Sequence, residues 1–560
     1  MKIKKILITA ITIIANIVNT QAQNVNIPDT IFKAALVNNA SINTNMDTDI
    51  QITEAAAYNG AIYVSGLGIT DLTGIEAFIA LDSLDCSGNS SWWYEYWTGQ
   101  WELISSLSSL NVSANTALTY LNCSDNTLTS LDLSANNALT YFGCSGNQLT
   151  SLDVSACTAL TYFNCSGNSL TSLDVSACTA LTYLNCAGSS PQMSNYLSSL
   201  DVSACTALTY LNCSQNFQLT GLNISGCTAL TYLDCSYNQL SSLTVLGCTG
   251  LVSLNCYSNQ ISSLNVSGCT ALTSLGCAYN QLSSLNVSSC TALIGLQCSG
   301  NYLSILNVSA CTALTGLGCA GNYLSSLDVS ACTALTYLFC VGNQLTNLNV
   351  LFSTSLTTLD CRNNYLSNLD LTDNMALINL YCSDNQLTHL NVSYNPALVS
   401  LSCNGNQLTN LNVSANTALT GLECSNNLLS NLNVKNGMNQ QMNFGATNNP
   451  NLSCIEVDDV IYSTLYWSDN VPLSAYFSGN CAATGIDNTA IDNTLMAYPN
   501  PTTGNLFITE KADITLTDFS GKLLLEQKNA NQLDMSLLPA GMYFLRFGDN
   551  LKQTIKVIKE

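Results

Sequence analysis

The chain has 560 residues and carries 13 lysines and arginines against 35 aspartates and glutamates, a formal net charge of −22. Between Ala34 and Glu510 its only lysines or arginines are Arg362 and Lys435, so a phosphate backbone or an anionic membrane surface would be repelled. Nucleic-acid binding is set aside on that ground, and the acidity is read as a means of solubility.

Lys2, Lys4 and Lys5 precede an apolar run from Ile6 to Val18, and small or polar residues follow to Ala22. That is the layout of a secretory signal peptide over residues 1–22, with an apolar run too short to span a bilayer. No later segment has eighteen consecutive apolar residues, so the mature chain is expected to lack a transmembrane segment.

Residues 23–80 read as a small helical N-terminal cap, with a helix opened by Pro28 and bearing Phe32 and Leu36 on one face. Inside the cap, Asn43, Asn45, Asp47, Asp49 and Glu54 fall at positions 1, 3, 5, 7 and 12 of a loop that resembles an EF-hand calcium site. Asparagine at position 1 and Thr48 in place of glycine weaken its charge and its turn. Calcium is the one cofactor considered, and a plain polar connection between helices is the alternative.

Residues 81–450 are organised by a unit of 21 residues, with one cysteine per copy from Cys86, Cys123 and Cys144 through to Cys424. Sixteen copies are counted this way, and from Cys235 onward every interval is 21. A unit this short cannot bury its apolar face alone, so the copies must stack into a β-rich solenoid with one continuous core. Within a copy, Leu121 and Cys123 alternate with Tyr120 and Asn122, the period of a strand with one buried face. Asparagine stands three residues after the cysteine in fifteen copies, the exception being Ser189. A buried amide bonding backbone groups of its own and the next turn accounts for it. Ser130 to Ser134 alternates again and predicts a shorter strand on the opposite side.

The order Leu118, Leu121, Cys123, Asn126, Leu128 resembles the leucine-rich repeat, in a short bacterial form with cysteine at the central strand leucine. The resemblance implies a rod with parallel strands on its concave face, and a non-catalytic scaffold that mostly binds proteins. Two insertions interrupt the repeats. The first, between Asn89 and Leu107, holds Trp92, Trp93, Trp97 and Trp101, and is expected as a rim loop for a sugar or protein contact, or as part of the cap. The second lies around Gly188 to Ser194.

Nine further cysteines, from Cys157 and Cys178 to Cys332, occupy a position that is Asn115, Asn136, Asn374, Asn395 or Asn416 in other copies. They cannot be obligatory bridges. Equivalent positions on in-register parallel strands hold Cβ atoms about 4.8 Å apart and pointing the same way, so both cysteine columns are read as reduced core thiols. Zinc is disfavoured by the single histidine, His389, and by the absence of a CxxC pair. Cys454 and Cys481 stand outside both columns and are expected to pair as a disulfide in a C-terminal cap over 451–485.

A polar linker covers 486–497. Residues 498–560 change to lysine-containing, cysteine-free sequence whose alternating segments predict a small β-sandwich. Pro499, Pro501, Gly504, Gly521, Gly541, Tyr543 and Lys556 lie in motifs that resemble the C-terminal sorting domain of the type IX secretion system. The resemblance implies type IX machinery as a partner and a protein that is secreted or held on the outer cell surface.

No catalytic constellation emerges, and the reading is not an enzyme. The candidate ligand-binding residues are the strand tyrosines Tyr120, Tyr141, Tyr162, Tyr183, Tyr210 and Tyr232, taken together with the four tryptophans. They are expected to form one exposed aromatic surface for an unidentified extracellular protein, in a binding or adhesion role. The alternative is a carbohydrate-binding module that captures polysaccharide.

Overall fold

The computed structural model describes residues 23–95, 100–188, 194–481, 497–498, 502–518, 521–547 and 553–560. The signal-peptide segment, the linker up to 496, Trp97, Ser189, Pro499 and Pro501 lie outside the described residues. The chain forms two compact units, Met1–Cys481 and Ala482–Glu560.

In the first unit eighteen three-residue strands, from Ala61–Tyr63 to Asn443–Gly445, pair in parallel as one sheet. Each pairs with the equivalent residues of the next turn, as Tyr120 with Tyr141 and Leu121 with Phe142, so identical positions stack into columns. Leucine and cysteine point inward because only one face of each strand is covered. Leu121 and Cys123 are fully buried, whereas Tyr120 and Asn122 are half-buried. The sheet has two turns more than the cysteine count, since Val64 and Ala446 fill the cysteine position at its two ends, both buried.

The asparagine three residues after the cysteine closes each turn. Asn301 Nδ2 donates to the carbonyls of Cys298 (3.1 Å) and Cys277 (3.0 Å), and its Oδ1 accepts from Leu282 N–H (3.0 Å). Both ends of the amide are engaged, with its own turn and with the preceding one, not the next. The exception at Ser189 disappears, because the second insertion displaces the asparagine. Asn195 bonds the carbonyls of Cys165 and Cys186 and accepts from Leu170 N–H.

The second cysteine column is also a column of donors. Asn136 Nδ2 donates to Val112 O and Asn115 O, and the thiols do the same weakly, as Cys178 Sγ to Val154 O at 3.7 Å and Cys227 Sγ to Val202 O at 3.2 Å. Here the Oδ1 atoms of Asn115, Asn136, Asn374, Asn395 and Asn416 are buried without a hydrogen-bond partner. An asparagine at this position gains two bonds but strands an acceptor, which costs about 1–3 kcal/mol. Cysteine bonds more weakly and leaves no idle acceptor, so the two residues interchange.

The convex strand expected in each repeat forms only in some turns, including Ser199–Asp201 with Gly221–Asn223 and Ser326–Asp328 with Asn347–Asn349. The Ser130–Ser134 segment is not a strand. At the N-terminal end the helix Thr30–Val37 begins two residues after Pro28, where Asp29 accepts from Ile31 and Phe32 N–H, and Phe32 and Leu36 are buried. At the C-terminal end Trp467, after the helix Val460–Tyr466, packs on Phe444 of the last turn at 4.5 Å. A Cys454–Cys481 disulfide joins the two ends of this cap.

The second unit is a five-stranded antiparallel, sandwich-like sheet around Leu506, Ile514, Leu516, Leu533, Leu545 and Val557. The long strand Asn505–Asp518 pairs along one edge with Leu523–Asp534, with register shifts between Phe507 and Ile514, and along the other with Ala497–Tyr498 and Gly541–Phe547.

Candidate functional site

The tyrosine position faces out of the concave sheet once per turn. From Tyr120 to Tyr232 six rings lie in an unbroken stack, with centroids 4.3–4.5 Å apart and interplanar angles from 14° down to 2°. Strand register forces this, because equivalent positions of adjacent turns are held at the sheet spacing of about 4.8 Å and flat rings fill that gap by lying parallel. The rings are half-buried, not exposed as expected, since each inner ring has both faces covered by its neighbours. Ring edges and hydroxyls are what the column presents.

Burial, followed by the neighbouring phenols, pushes the Tyr141 and Tyr183 hydroxyls well above their ordinary value. Tyr232 is pushed up to about 12 by burial and by Asp234 beside it. Tyr141, Tyr183 and Tyr232 are therefore neutral at physiological pH, with hydroxyls able to donate and accept. Two residues along each strand runs a parallel column, Asn122, Gly143, Asn164, Asn185 and Asn212, which adds amides beside the phenols. A third, formed by the threonines preceding the tyrosines, braces the sheet, as Thr161 Oγ1 donates to Thr140 O and Thr182 Oγ1 to Thr161 O.

Beyond Tyr232 the tyrosine position becomes Ser253, Ser274, Gly295 and Gly316, before Tyr337 restores an aromatic ring, 51% exposed. A second cluster that the sequence pattern did not single out follows. Arg362 makes a two-pronged pair with buried Asp360, Nε to Oδ1 at 2.8 Å and a terminal nitrogen to Oδ2 at 2.6 Å, and lies over the Tyr381 ring at 5.4 Å. Its signal was available, since Arg362 is the one arginine or lysine between Ala34 and Val434.

The first insertion is a hairpin, not an irregular loop. Strands Ser91–Glu95 and Gln100–Ser105 pair antiparallel, setting Trp92 opposite Leu103, Trp93 opposite Glu102 and Tyr94 opposite Trp101. It leaves the turn just before the tyrosine column begins.

In the cap loop the five candidate calcium ligands are engaged with one another and with the backbone. Glu54 accepts from Thr44 and Asn45 N–H and, through its other oxygen, from Gln51 N–H, as the capping box of the helix Ile52–Ala57. Asp49 is paired with Lys33, and Asp47 accepts from Asn45, Gln51 and Asp49 N–H. Asn43 donates its Nδ2 to the carbonyls of Val37 and Asp47, while its Oδ1 is buried without a hydrogen-bond partner. Among the described residues no group of three or more His, Cys, Asp or Glu is placed to hold a metal.

In the second unit the motif residues meet at the two ends of the sheet. Thr502 N–H donates to Ile558 O and Glu560 N–H returns to Thr502 O, tying the start of the segment to its last residues. Gly504 N–H donates to Thr502 Oγ1. Gly521 turns at φ +85°, a left-handed value that favours glycine. Gly541 opens the strand in which buried Tyr543 donates its hydroxyl to Pro539 O at 2.7 Å, and Phe544 pairs with Lys556 of the final strand.

The model of the secretion system C-terminal sorting domain matches residues 496–560, and that of leucine-rich repeats, in two copies, matches residues 228–268. The chain carries leucine-rich repeats and a C-terminal secretion sorting domain. A functional domain of InlJ from Listeria monocytogenes, described as including a cysteine ladder, is 26% identical, with a TM-score of 0.57 over 96% of this chain and 100% of that one. A plant peptide hormone receptor, RGFR1, solved in complex with RGF2, shares the fold at 20% identity and a TM-score of 0.52, over 75% of this chain and 73% of that one. No curated protein sequence matches. In this leucine-rich repeat solenoid, as in the InlJ domain, a ladder of cysteines runs through the repeats. Burial pushes the thiols up, those of Cys123, Cys186 and Cys319 to about 12, so they stay protonated and unreactive. Among the described residues no helix is long and apolar enough to cross a membrane.

Proposed function

We propose that the mature chain is a non-catalytic binding scaffold at the cell surface or outside the cell, exported with its signal peptide and recognised by type IX machinery through residues 496–560. The leucine-rich repeat fold supports protein binding in general, and a solenoid with a sorting domain is typical of non-enzymatic proteins. The partner sits on the N-terminal third of the concave sheet, in an adhesion or capture role, with the tryptophan hairpin at its edge.

The observation that carries this reading is the stack of Tyr120 to Tyr232 beside Asn122, Asn164, Asn185 and Asn212. Five turn spacings make it about 24 Å long, the scale of a protein contact. Its inner ring faces are covered, so a sugar has no face there to stack on, whereas ordered edges, hydroxyls and amides suit a polar protein surface. The fold accepts Ser253, Ser274, Gly295 and Gly316 at the same position, so backbone geometry does not require tyrosine.

Affinity capture from the native environment on the immobilised mature chain tests this. A protein retained by the wild type should be lost with Tyr141→Ser, Tyr162→Ser and Tyr183→Ser together. Unchanged retention by that variant, with loss on changing Phe339 and Tyr381, would move the site to the C-terminal half.

A further inference from the structure

A second group of tyrosines stands on the rim, in the turn that follows the concave strand, and differs from the concave column in every relevant respect. Tyr237, Tyr257 and Tyr279 come from three successive turns, with centroids 5.1 Å apart at each step and rings tilted by 49° and 61°. Tyr302 and Tyr323 continue on the next two turns, 6.0 Å apart. Tyr237, Tyr279, Tyr302 and Tyr323 are 44–57% exposed, so much of each side chain is open to solvent.

Two of these rings stand where the fold disfavours them. The residue two after the strand cysteine adopts a left-handed backbone in every turn but that of Gly188, and most turns place glycine, asparagine or aspartate there, as Gly146, Gly300, Gly321, Asn363 and Asp384. Tyr237 and Tyr279 hold φ of 54° and 53° at that position. A bulky side chain there is strained, and such strain persists where function requires the side chain. Gly300 leaves the space in which the Tyr279 ring lies across the next turn, since a Cβ at Gly300 would stand 2.9 Å from Cδ1 of that ring.

The surroundings define the ligand. Between Asp234 and Asp328 the chain has no aspartate, glutamate, lysine, arginine or histidine, in a protein of net charge −22. Exposed Gln239, Gln260 and Gln281 stand in the turns of Tyr237, Tyr257 and Tyr279, at the repeat position that Tyr302 and Tyr323 take in the next two. Exposed aromatic rings take the C–H faces of sugar rings, and neighbouring amides serve hydroxyls as both donors and acceptors. A surface without charge selects against acidic and basic partners. Its repeat once per turn, over about 19 Å, matches a polymer with its own short repeat, whose successive contacts reinforce one another.

We propose that this rim binds an uncharged polysaccharide lying along the solenoid axis. The proposal is independent of the protein site on the concave face. Affinity electrophoresis of the full mature chain through gels containing soluble starch, a β-1,3-glucan, mannan or xylan tests it, with alginate and chondroitin sulfate as charged comparators. The variant is Tyr257→Ser, Tyr279→Gly and Tyr302→Gln, which installs residues that other turns carry at the same positions. At least one neutral polysaccharide should retard the wild type, and the variant should bind it at least tenfold more weakly with no fall in its thermal unfolding midpoint. The concave variant Tyr141→Phe, Tyr162→Phe, Tyr183→Phe should be retarded as the wild type is. The proposal is overturned if no neutral polysaccharide retards the chain, if only the charged ones do, or if the rim variant binds undiminished. It also falls if the variant loses binding together with its unfolding midpoint, or if the rim instead joins two copies of the chain.

Discussion

Two inner columns of the solenoid lie a few residues apart in every turn and follow different rules. In the column of Asn301 both ends of the amide are bonded to backbone in most turns, Asn126 and Asn238 being the two whose Oδ1 has no partner, and asparagine is kept even where an insertion intervenes, as at Asn195. In the column of Asn136 and Cys178 the amide acceptor is idle, and asparagine, cysteine and, at Ser353, serine share the position. The difference is one of satisfied atoms, not of burial, since both columns are buried. Asparagine is kept where most turns use both ends of its amide, and is exchanged where only the donor is used. The concave tyrosine position is freer still, which is why its six consecutive tyrosines are assigned to a partner.

Alkaline pH should separate thiol columns from amide columns with the largest effect, because only thiols titrate. Below the ordinary thiol value of 9.0 both folded and unfolded chains keep their protons and stability is flat. Above it the unfolded chain releases protons that the folded chain, with thiols near 12, retains, so stability falls by about 1.4 kcal/mol per thiol per pH unit. With sixteen fully buried strand thiols, cooperative unfolding is expected within roughly one to two units above pH 9, read by circular dichroism. Stability unchanged to pH 11 would show that the thiols are not protonated and buried.

Asn301→Ala should come next. It leaves Leu282 N–H without its partner and removes one of the two amides that each of Cys277 O and Cys298 O accepts from, since Asn280 and Asn322 remain, a loss of roughly 2–4 kcal/mol in denaturant unfolding. Exchanges in the other column should be far milder: Cys269→Asn and Asn395→Cys are each expected within about 1 kcal/mol of the wild type. Equal losses from both columns would erase the distinction.

Much of this was legible in the residues and some was not. The period, the inward leucines and cysteines, the asparagine and the sorting motifs are local patterns that physical chemistry reads directly. The two terminal turns were missed because Val64 and Ala446 replace the cysteine that marked each copy. Asn195 was missed because sequence spacing does not show that an insertion can leave a spatial position filled. The convex strand was overestimated, since alternation in a short segment does not ensure pairing with both neighbouring turns. At the site, the tyrosine stripe is visible as a repeated letter, but its closed faces follow from register, and the exposure of the rim tyrosines follows from left-handed turns that no periodicity reveals.

The central claim is that the concave tyrosines serve a partner through the edges and hydroxyls that their stacking leaves outward. The variant Tyr141→Phe, Tyr162→Phe, Tyr183→Phe tests it most directly, because it keeps the stack and removes only the hydroxyls. Binding of the captured protein should weaken at least tenfold, measured by titration calorimetry, while unfolding free energy stays within about 1 kcal/mol. Full affinity in this variant, with loss only when serine breaks the stack, would contradict the claim and make the column a brace for the sheet.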